Sequence, residues 1–351
     1  MSGDERPSGL VAVQPEWSAL HSVHYQLLAN QQNMLEDARR TGAYHRGITH
    51  NRRDFAGKTV LDVGAGSGIL SLFAAQAGAR KVYAVDENVP ECARTLVAAN
   101  GLEGRIEVIQ SRLEDLELDE PVDVIISEPW GFFLFHERMV DAFLLARDRF
   151  LVPGGRLFPG TAELWIAPFS DDELYVARTS VLSFWSQSDF YGVDLSSMAS
   201  RAADELFSMP ALGPVLPETL VGTPIVRVFD FERFPLTELA EIRLPFAFTV
   251  TRSGLVHGLA GWFDVVFEGS DERVVLSTSP HSATTHWSQL RFMLLEPLTM
   301  REGQKLEGTL TLHANDHSSY TARLEAEIVG QGPITGQTFL IENFFPTDEP
   351  L

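Results

Sequence analysis

The sequence predicts a parallel α/β domain followed by an all-β domain of antiparallel strands, a barrel or sandwich. Three observations carry this reading. Between Thr59 and Phe150 short apolar runs alternate with helical stretches, the βαβα rhythm of a doubly wound sheet. The first of those runs leads directly into a glycine-rich loop, Asp62-Val63-Gly64-Ala65-Gly66-Ser67-Gly68. After Pro159 the texture changes to short β-branched and aromatic segments separated by turn residues.

In chain order, residues 1–15 are rich in Ser, Gly, Pro and charge and are expected to form a disordered tail. Residues 16–54 read as helices, with good helix formers from Gln31 to Asp37 and a break at Thr41-Gly42. Residues 55–158 make the α/β domain. Strands are expected at Thr59–Val63, Lys81–Val85, Ile106–Gln110 and Val122–Ile126. Helices are expected at Ile69–Ala77, Pro90–Asn100 and Met139–Phe150, the last closed by Pro153-Gly154-Gly155. Residues 159–351 make the β domain, with strands at Ala162–Ala167, Ile242–Val250, Gly258–Glu268, Arg273–Ser277, Leu306–His313 and Tyr320–Val329. Within it, residues 171–208 form a helical excursion carrying Phe184, Trp185, Phe190 and Tyr191. Either a second subunit covers these aromatics or they pack on their own barrel.

The chain has 351 residues and 44% hydrophobic content, enough for two cored domains. Cys92 is the sole cysteine, which excludes a disulfide scaffold and points to a reducing compartment. No apolar run reaches the length of a membrane span, and residues 1–15 lack the order of a signal peptide. The expected setting is soluble and intracellular, with no membrane partner. A net charge of −21 disfavours binding nucleic acid through a basic surface and would attract an arginine-rich partner.

Glycines after a first strand let the backbone approach a ligand and turn sharply into a helix. Asp86 ends the second strand, where a carboxylate can accept both ribose hydroxyls of a nucleoside. The loop is G-x-G-x-G rather than G-x-G-x-x-G, and Asp62 leads it. An acid there repels pyrophosphate but suits a sulfonium or amino group, so S-adenosylmethionine fits better than a dinucleotide. Glu114 is placed to accept from an adenine amino group, or is one more solvated acid beside Asp115 and Glu117. The reading calls for no metal.

Glu128 and Glu137 lie nine positions apart in Ser127-Glu128-Pro129-Trp130-Gly131 through Glu137-Arg138-Met139, just after the buried run Val122–Ile126. Two carboxylates brought together at the carboxyl edge of a sheet need a cation between them. A guanidinium, with its forked donors and permanent charge, fits that gap. The alternative is a pair of solvated loop acids.

These residues resemble the protein arginine methyltransferases over most of the chain, from about Tyr25 to Phe345. Val60 to Leu70 is similar to the family's cofactor loop, Ser127 to Met139 to its double-glutamate loop, and Thr285-His286-Trp287 to its Thr-His-Trp loop. Within the family, Gln31-Gln32-Asn33-Met34, Arg40-Thr41-Gly42, Ala74 to Lys81, Gly192 to Ser196 and Ser253 to Ala260 resemble the coactivator-associated member. The resemblance implies a Rossmann-like cofactor domain, a β-barrel and a dimerisation arm at about 171–208 that grips a second copy. It implies a type I enzyme making asymmetric dimethylarginine from S-adenosylmethionine, on proteins such as histone tails or RNA-binding proteins, in the nucleus and cytoplasm. By the same resemblance Glu128 and Glu137 bind the substrate guanidinium, Arg40 the cofactor carboxylate, Asp86 the ribose and Glu114 the adenine. Gly64, Gly66, Gly68 and Asp62 surround the cofactor. Tyr25, Met34, Met139 and Trp287 shape the pocket, and Asp37 with His286 bridges helix to barrel and receives a proton; the alternative is a structural clasp, with solvent taking the proton. The sequence departs from the family's Tyr-Phe-x-x-Tyr helix, reading His21-Ser22-x-x-Tyr25. That departure supports an alternative: a weak or inactive dimeric scaffold of the same fold.

Overall fold

The computed structural model describes residues 11–14, 27–88, 90–342 and 344–346. Helices α1 (Leu28–Glu36), α2 (Ala38–Thr49) and α3 (Arg52–Phe55) come first. The break expected at Thr41-Gly42 falls instead at Asp37. Its backbone leaves the helical region, and its carboxylate accepts from the Arg39 and Arg40 amides, capping α2. Gly42 has open space around it, so the helix passes through at only the usual cost of a glycine. Residues 11–14, expected in a disordered tail, run against the barrel. The Gln14 amide donates to the Asp316 carbonyl at 2.8 Å and Arg138 Nη1 donates to the Val11 carbonyl at 2.7 Å.

The α/β domain comprises β1 (Thr59–Val63), α4 (Ile69–Gln76), β2 (Lys81–Asp86), α5 (Pro90–Ala99), β3 (Ile106–Gln110), β4 (Val122–Ser127), α6 (Met139–Phe150) and β5 (Leu151–Phe158). The five strands are parallel in the order β3-β2-β1-β4-β5. Every residue of β1 is buried, as in a strand covered on both faces. Connections leave β1 in one direction and return for β4 on its other side. The carboxyl ends of β1, β2 and β4 therefore flank a switch point, where such sheets bind ligands.

The sequence reading missed β5. Pro153-Gly154-Gly155, read as the closure of α6, lies inside this edge strand. Its pairing with β4 jumps from Val122↔Leu151 to Val124↔Arg156. An edge bulge absorbs a proline and two glycines that a central strand would reject.

The second domain holds β6 (Thr161–Phe169), α7 (Asp172–Leu182), α8 (Ala199–Ser208), β7 (Ala211–Gly213), β8 (Ile225–Asp230), β9 (Glu241–Thr249), β10 (Gly254–Glu268), β11 (Arg273–Ser277), β12 (Gln289–Met300), β13 (Lys305–Ala314), β14 (Tyr320–Ile328), β15 (Gly332–Leu340) and β16 (Phe345–Pro346). One sheet runs β16-β7-β12-β10-β6-β8 with β11 on β10, and the other runs β15-β14-β13-β9. Together they enclose the barrel core. In β9, Ile242, Leu244, Phe246 and Phe248 face inward and alternate with exposed residues, the pattern that made this strand legible. The sequence did not reveal β12, because Gln289 to Leu294 are buried without alternation. Leu290, Phe292 and Leu294 face the main core, while Met293 faces a second cluster with Ala167, Phe169, Leu174 and Phe207.

That second cluster roots residues 171–208 on the barrel. The outer part of the segment is left open: Phe184, Val193 and Met198 are exposed and Tyr191 is 94% exposed. The two domains share one continuous core. Phe133 from the β4–α6 hairpin lies so close to Gly261 of β10 that a Cβ there would sit 2.2 Å from its ring. Asn51, fully buried after α2, accepts from the Asp271 and Glu272 amides and donates to the Glu272 carbonyl. The helices and barrel are thereby clamped together. Among the described residues no helix is long and apolar enough to cross a membrane.

Candidate active site

The glycine loop joins β1 to α4. Gly64, Gly66 and Gly68 all adopt positive φ, at 70°, 53° and 81°, where other residues are strained. The Gly64 and Ala65 amides both donate to the Val85 carbonyl at 3.0 Å, tying the loop to the end of β2. A Cβ on Gly66 would lie 3.0 Å from Gln31 Oε1, and one on Gly64 would lie 3.2 Å from Met139 Cε. Helix α1 thus reaches the loop directly, and the Ser67 amide donates to Gln31 Oε1 at 3.1 Å.

Asp86 sits at the end of β2 as expected, but its carboxylate is engaged by backbone. Oδ2 accepts from Gly66 N at 2.9 Å and Oδ1 from Asn88 N at 2.7 Å. Asp62 is wholly buried, and its Oδ2 accepts from Ser71 Oγ at 2.7 Å while Oδ1 has no partner among the described residues. Burial pushes this carboxyl up to about 7, against the opposing bond from Ser71. Without a neighbouring cation, burial works against the negative charge expected beside the loop. Glu114 is half exposed and lies 3.7 Å from Arg112, outside the cluster of buried groups.

Glu128 follows β4 and is nearly buried. Arg40 of α2 donates to its Oε2 from Nε at 2.9 Å and from Nη2 at 2.5 Å. Oε1 is buried with no hydrogen-bond partner among the described residues. Burial raises the Glu128 carboxyl above its usual value; Arg40 opposes the rise and the charge of Glu137 adds to it. Arg40, assigned by resemblance to the cofactor carboxylate, is thus found on Glu128 and on the Met34 carbonyl. Glu137 stands in a run of positive φ and lies 3.9 Å from His136 Nδ1.

The third wall comes from the loop before β12. His286 donates its backbone N–H to Asp37 Oδ2 at 3.0 Å, and its Nδ1 lies 2.8 Å from the same oxygen. Burial alone would raise the Asp37 carboxyl. Hydrogen bonds from the His286 ring and from the Arg40 and His286 amides hold it well below the usual carboxylate range. Trp287 Nε1 donates to the Trp130 carbonyl at 2.8 Å. Met34 and Met139 are half-buried, Met139 beside Gly64 and Met34 with its carbonyl accepting from Arg40. Tyr25, His21 and Ser22 lie outside the described residues.

Three participants escaped the sequence reading. Gln31 stood out only within the stretch to Met34 that resembles the coactivator-associated member, with no role attached to it. Tyr44 lies four positions after Arg40 and so shares its helix face, which is the one clue that existed. Trp130, noted only as part of its loop, turns its indole inward to Tyr44.

The residues fit a nucleoside sulfonium and a guanidinium. Three positive-φ glycines bring the loop backbone to the carboxyl edge of the sheet, and the unpartnered Glu128 oxygen is a buried acceptor that a cationic donor would satisfy.

The arginine methyltransferase oligomerization subdomain matches residues 160–327, and a methyltransferase domain family matches residues 60–155. A protein of Oryza sativa subsp. indica described as a probable histone-arginine methyltransferase CARM1 is 47% identical over 317 residues, covering 89% of this chain. The chain spans 60% of the length of that relative. An open conformation of Arabidopsis thaliana protein arginine methyltransferase 10 superposes with a TM-score of 0.80 at 34% identity, over 91% of this chain and 99% of that one. A Trypanosoma brucei enzyme–prozyme heterotetramer with AdoHcy gives 0.80 at 33% identity, over 90% and 99%. The chain belongs to the protein arginine methyltransferase family.

Proposed function

We propose that this chain transfers a methyl group from S-adenosylmethionine to arginine side chains of proteins, as a type I enzyme giving asymmetric dimethylarginine. The observation that carries the reading is Glu128: one oxygen is held by Arg40, and the other is buried and unsatisfied. S-adenosylmethionine, when bound over the glycine loop, supplies an electrophilic methyl group.

The chain's own residues meet two difficulties. The reactants are both cations, so a near-attack approach of about 3–3.5 Å costs electrostatic work. Glu128 and Glu137 offset it, Glu128 through the oxygen that Arg40 leaves unpartnered. A guanidinium nitrogen is also a poor nucleophile. Unequal binding by the two glutamates draws positive charge toward the nitrogens they hold and away from the attacking one. Arg40 holds Glu128 in place for this. His286, with Nδ1 tied to Asp37, presents Nε2 as the atom that accepts the departing proton. Met34 and Met139, flexible and apolar, bound the space for one or two methyl groups.

The Oryza relative is described as acting on histone arginine, and the acidic surface of this chain suits such basic tails. Histone substrates would place the activity in the nucleus. The exposed aromatics of residues 171–208 suit an arm covered by a second copy of the chain.

The test is incubation with labelled S-adenosylmethionine and a panel of histone-tail and glycine-arginine-rich peptides, followed by mass spectrometry. Asymmetric dimethylarginine is expected. Symmetric product alone would reject the type I assignment. Cofactor binding by calorimetry without methyl transfer would favour the scaffold alternative.

A further inference from the structure

Glu128 is useful only if its backbone is fixed, and the peptide carbonyls on either side of it are held by side chains from distant parts of the chain. Upstream, Tyr44 of α2 donates its hydroxyl proton to the Ser127 carbonyl at 3.0 Å. Downstream, Trp287 donates to the Trp130 carbonyl at 2.8 Å. A third bond closes the set, because Trp130 Nε1 donates to the Tyr44 oxygen at 2.8 Å. Indole is a donor only, so the direction of this chain is fixed: Trp130 to Tyr44, then Tyr44 to Ser127.

The three side chains are buried, with Tyr44 1%, Trp130 5% and Trp287 3% exposed. Their rings are braced independently. Tyr44 meets Phe267 edge-on at 4.9 Å, Trp130 lies against Phe231 at 5.4 Å and Trp287 against Phe263 at 5.4 Å. Burial, then the nearby charge of Glu128, keeps the Tyr44 hydroxyl protonated and hence a donor. None of these polar atoms needs to touch a substrate to matter. If the tie were cut, Ser127 would lose a buried donor partner and the hairpin could shift relative to α2. A misplacement of about 1 Å can cost about a hundredfold in rate.

We infer that Tyr44 and Trp130 are positioning residues for the proposed methyl transfer, acting as a hydrogen-bonded brace that sets the backbone of Glu128. The inference rests on the methyltransferase reading above. It adds two residues that need not contact either reactant.

The test uses the full chain with an arginine peptide, comparing Tyr44→Phe, Trp130→Phe and the double variant. Rates are expressed per site counted by calorimetric binding of S-adenosylhomocysteine, so that a loss of folded protein does not register as a loss of rate. Tyr44→Phe is expected to lower kcat roughly tenfold to a hundredfold, with S-adenosylhomocysteine affinity and peptide KM within about threefold. Trp130→Phe is expected to lower kcat by less, about threefold to tenfold, since Tyr44 can still hold Ser127. In the double variant the losses should not multiply, because both substitutions cut one network.

Kinetics of Tyr44→Phe within about twofold of an active parent would overturn the inference, as would losses that multiply fully in the double variant. If Tyr44→Phe does not fold, Trp130→Phe decides alone: kcat equal to the parent's refutes the brace. An inactive parent that still binds S-adenosylhomocysteine would overturn the methyltransferase reading, and the brace with it.

Discussion

The two loops that meet at the carboxyl edge of the parallel sheet are built in opposite ways. The glycine loop shapes itself locally: three positive-φ glycines bend it, and its amides bond to the adjacent strand through Val85 and Asp86. The glutamate hairpin bonds within itself too, the His136 amide to the Phe132 carbonyl and the Gly131 amide to the Leu134 carbonyl, but it is anchored from afar. Its position depends on Arg40 and Tyr44 from α2 and on Trp287 from the barrel, partners 83 to 157 positions away. The glycine loop is thus set mainly within β1, α4 and β2, with one bond from Gln31 of α1, whereas the glutamate hairpin is placed only once helix, sheet and barrel have come together. Variants in the two loops should therefore fail differently.

The largest effect is expected from Glu128→Gln. Removing a desolvated charge beside Arg40 should cost at least ~2–5 kcal/mol, or roughly thirty- to several-thousandfold in kcat/KM. Binding of S-adenosylhomocysteine should remain within about threefold of the parent. An equal loss in both would break the separation between the two sides.

Asp62 offers the next test, on stability. Its folded-state carboxyl titrates near 7, raised by burial, against 3.8 for an ordinary aspartate. The folded state therefore holds a proton that the unfolded chain has released, so its contribution to stability falls as pH rises through that window. The slope is at most about 1.4 kcal/mol per pH unit. Asp62→Asn should consequently gain on the parent between pH 4 and 7 in denaturant titrations without cofactor, by a few kcal/mol at pH 8. A constant difference between the two proteins across that range would show that the buried acid has another partner.

The smallest effect belongs to Gly66→Ala. A residue with φ of 53° and a Cβ 3.0 Å from Gln31 Oε1 is strained and crowded, though by a movable side-chain tip. Cofactor affinity should fall about tenfold, with kcat at saturation changing less than threefold. A larger fall in kcat than in affinity would mean that the glycine loop also positions the glutamates.

The same contrast explains what the sequence could reveal. The cofactor loop, Asp86 and the βα alternation were legible because glycine placement and apolar runs are local signals. Glu128 and Glu137 stood out because paired acids in an aromatic hairpin invite a cation, the role proposed for them above. Their supports did not. Nothing near position 130 announces that its indole will reach position 44, and nothing in Gln31 announces Ser67. The helix break was misplaced because Gly42 is a weak breaker in open space, while Asp37 caps the helix that follows. Strand β12 hid for a related reason: both its faces are covered, so it lacks the alternation that exposed β9. Strand β5 hid because its proline and glycines are tolerated in a bulge that only the pairing register shows.

The hairpin has another neighbour with practical weight. Val11 hydrogen-bonds to Arg138, the residue after Glu137, and the Phe344 ring packs on Phe132 and His136 within the same hairpin. A change at Val11 or Phe344 would therefore reach the glutamate hairpin directly, although both lie far from it along the chain.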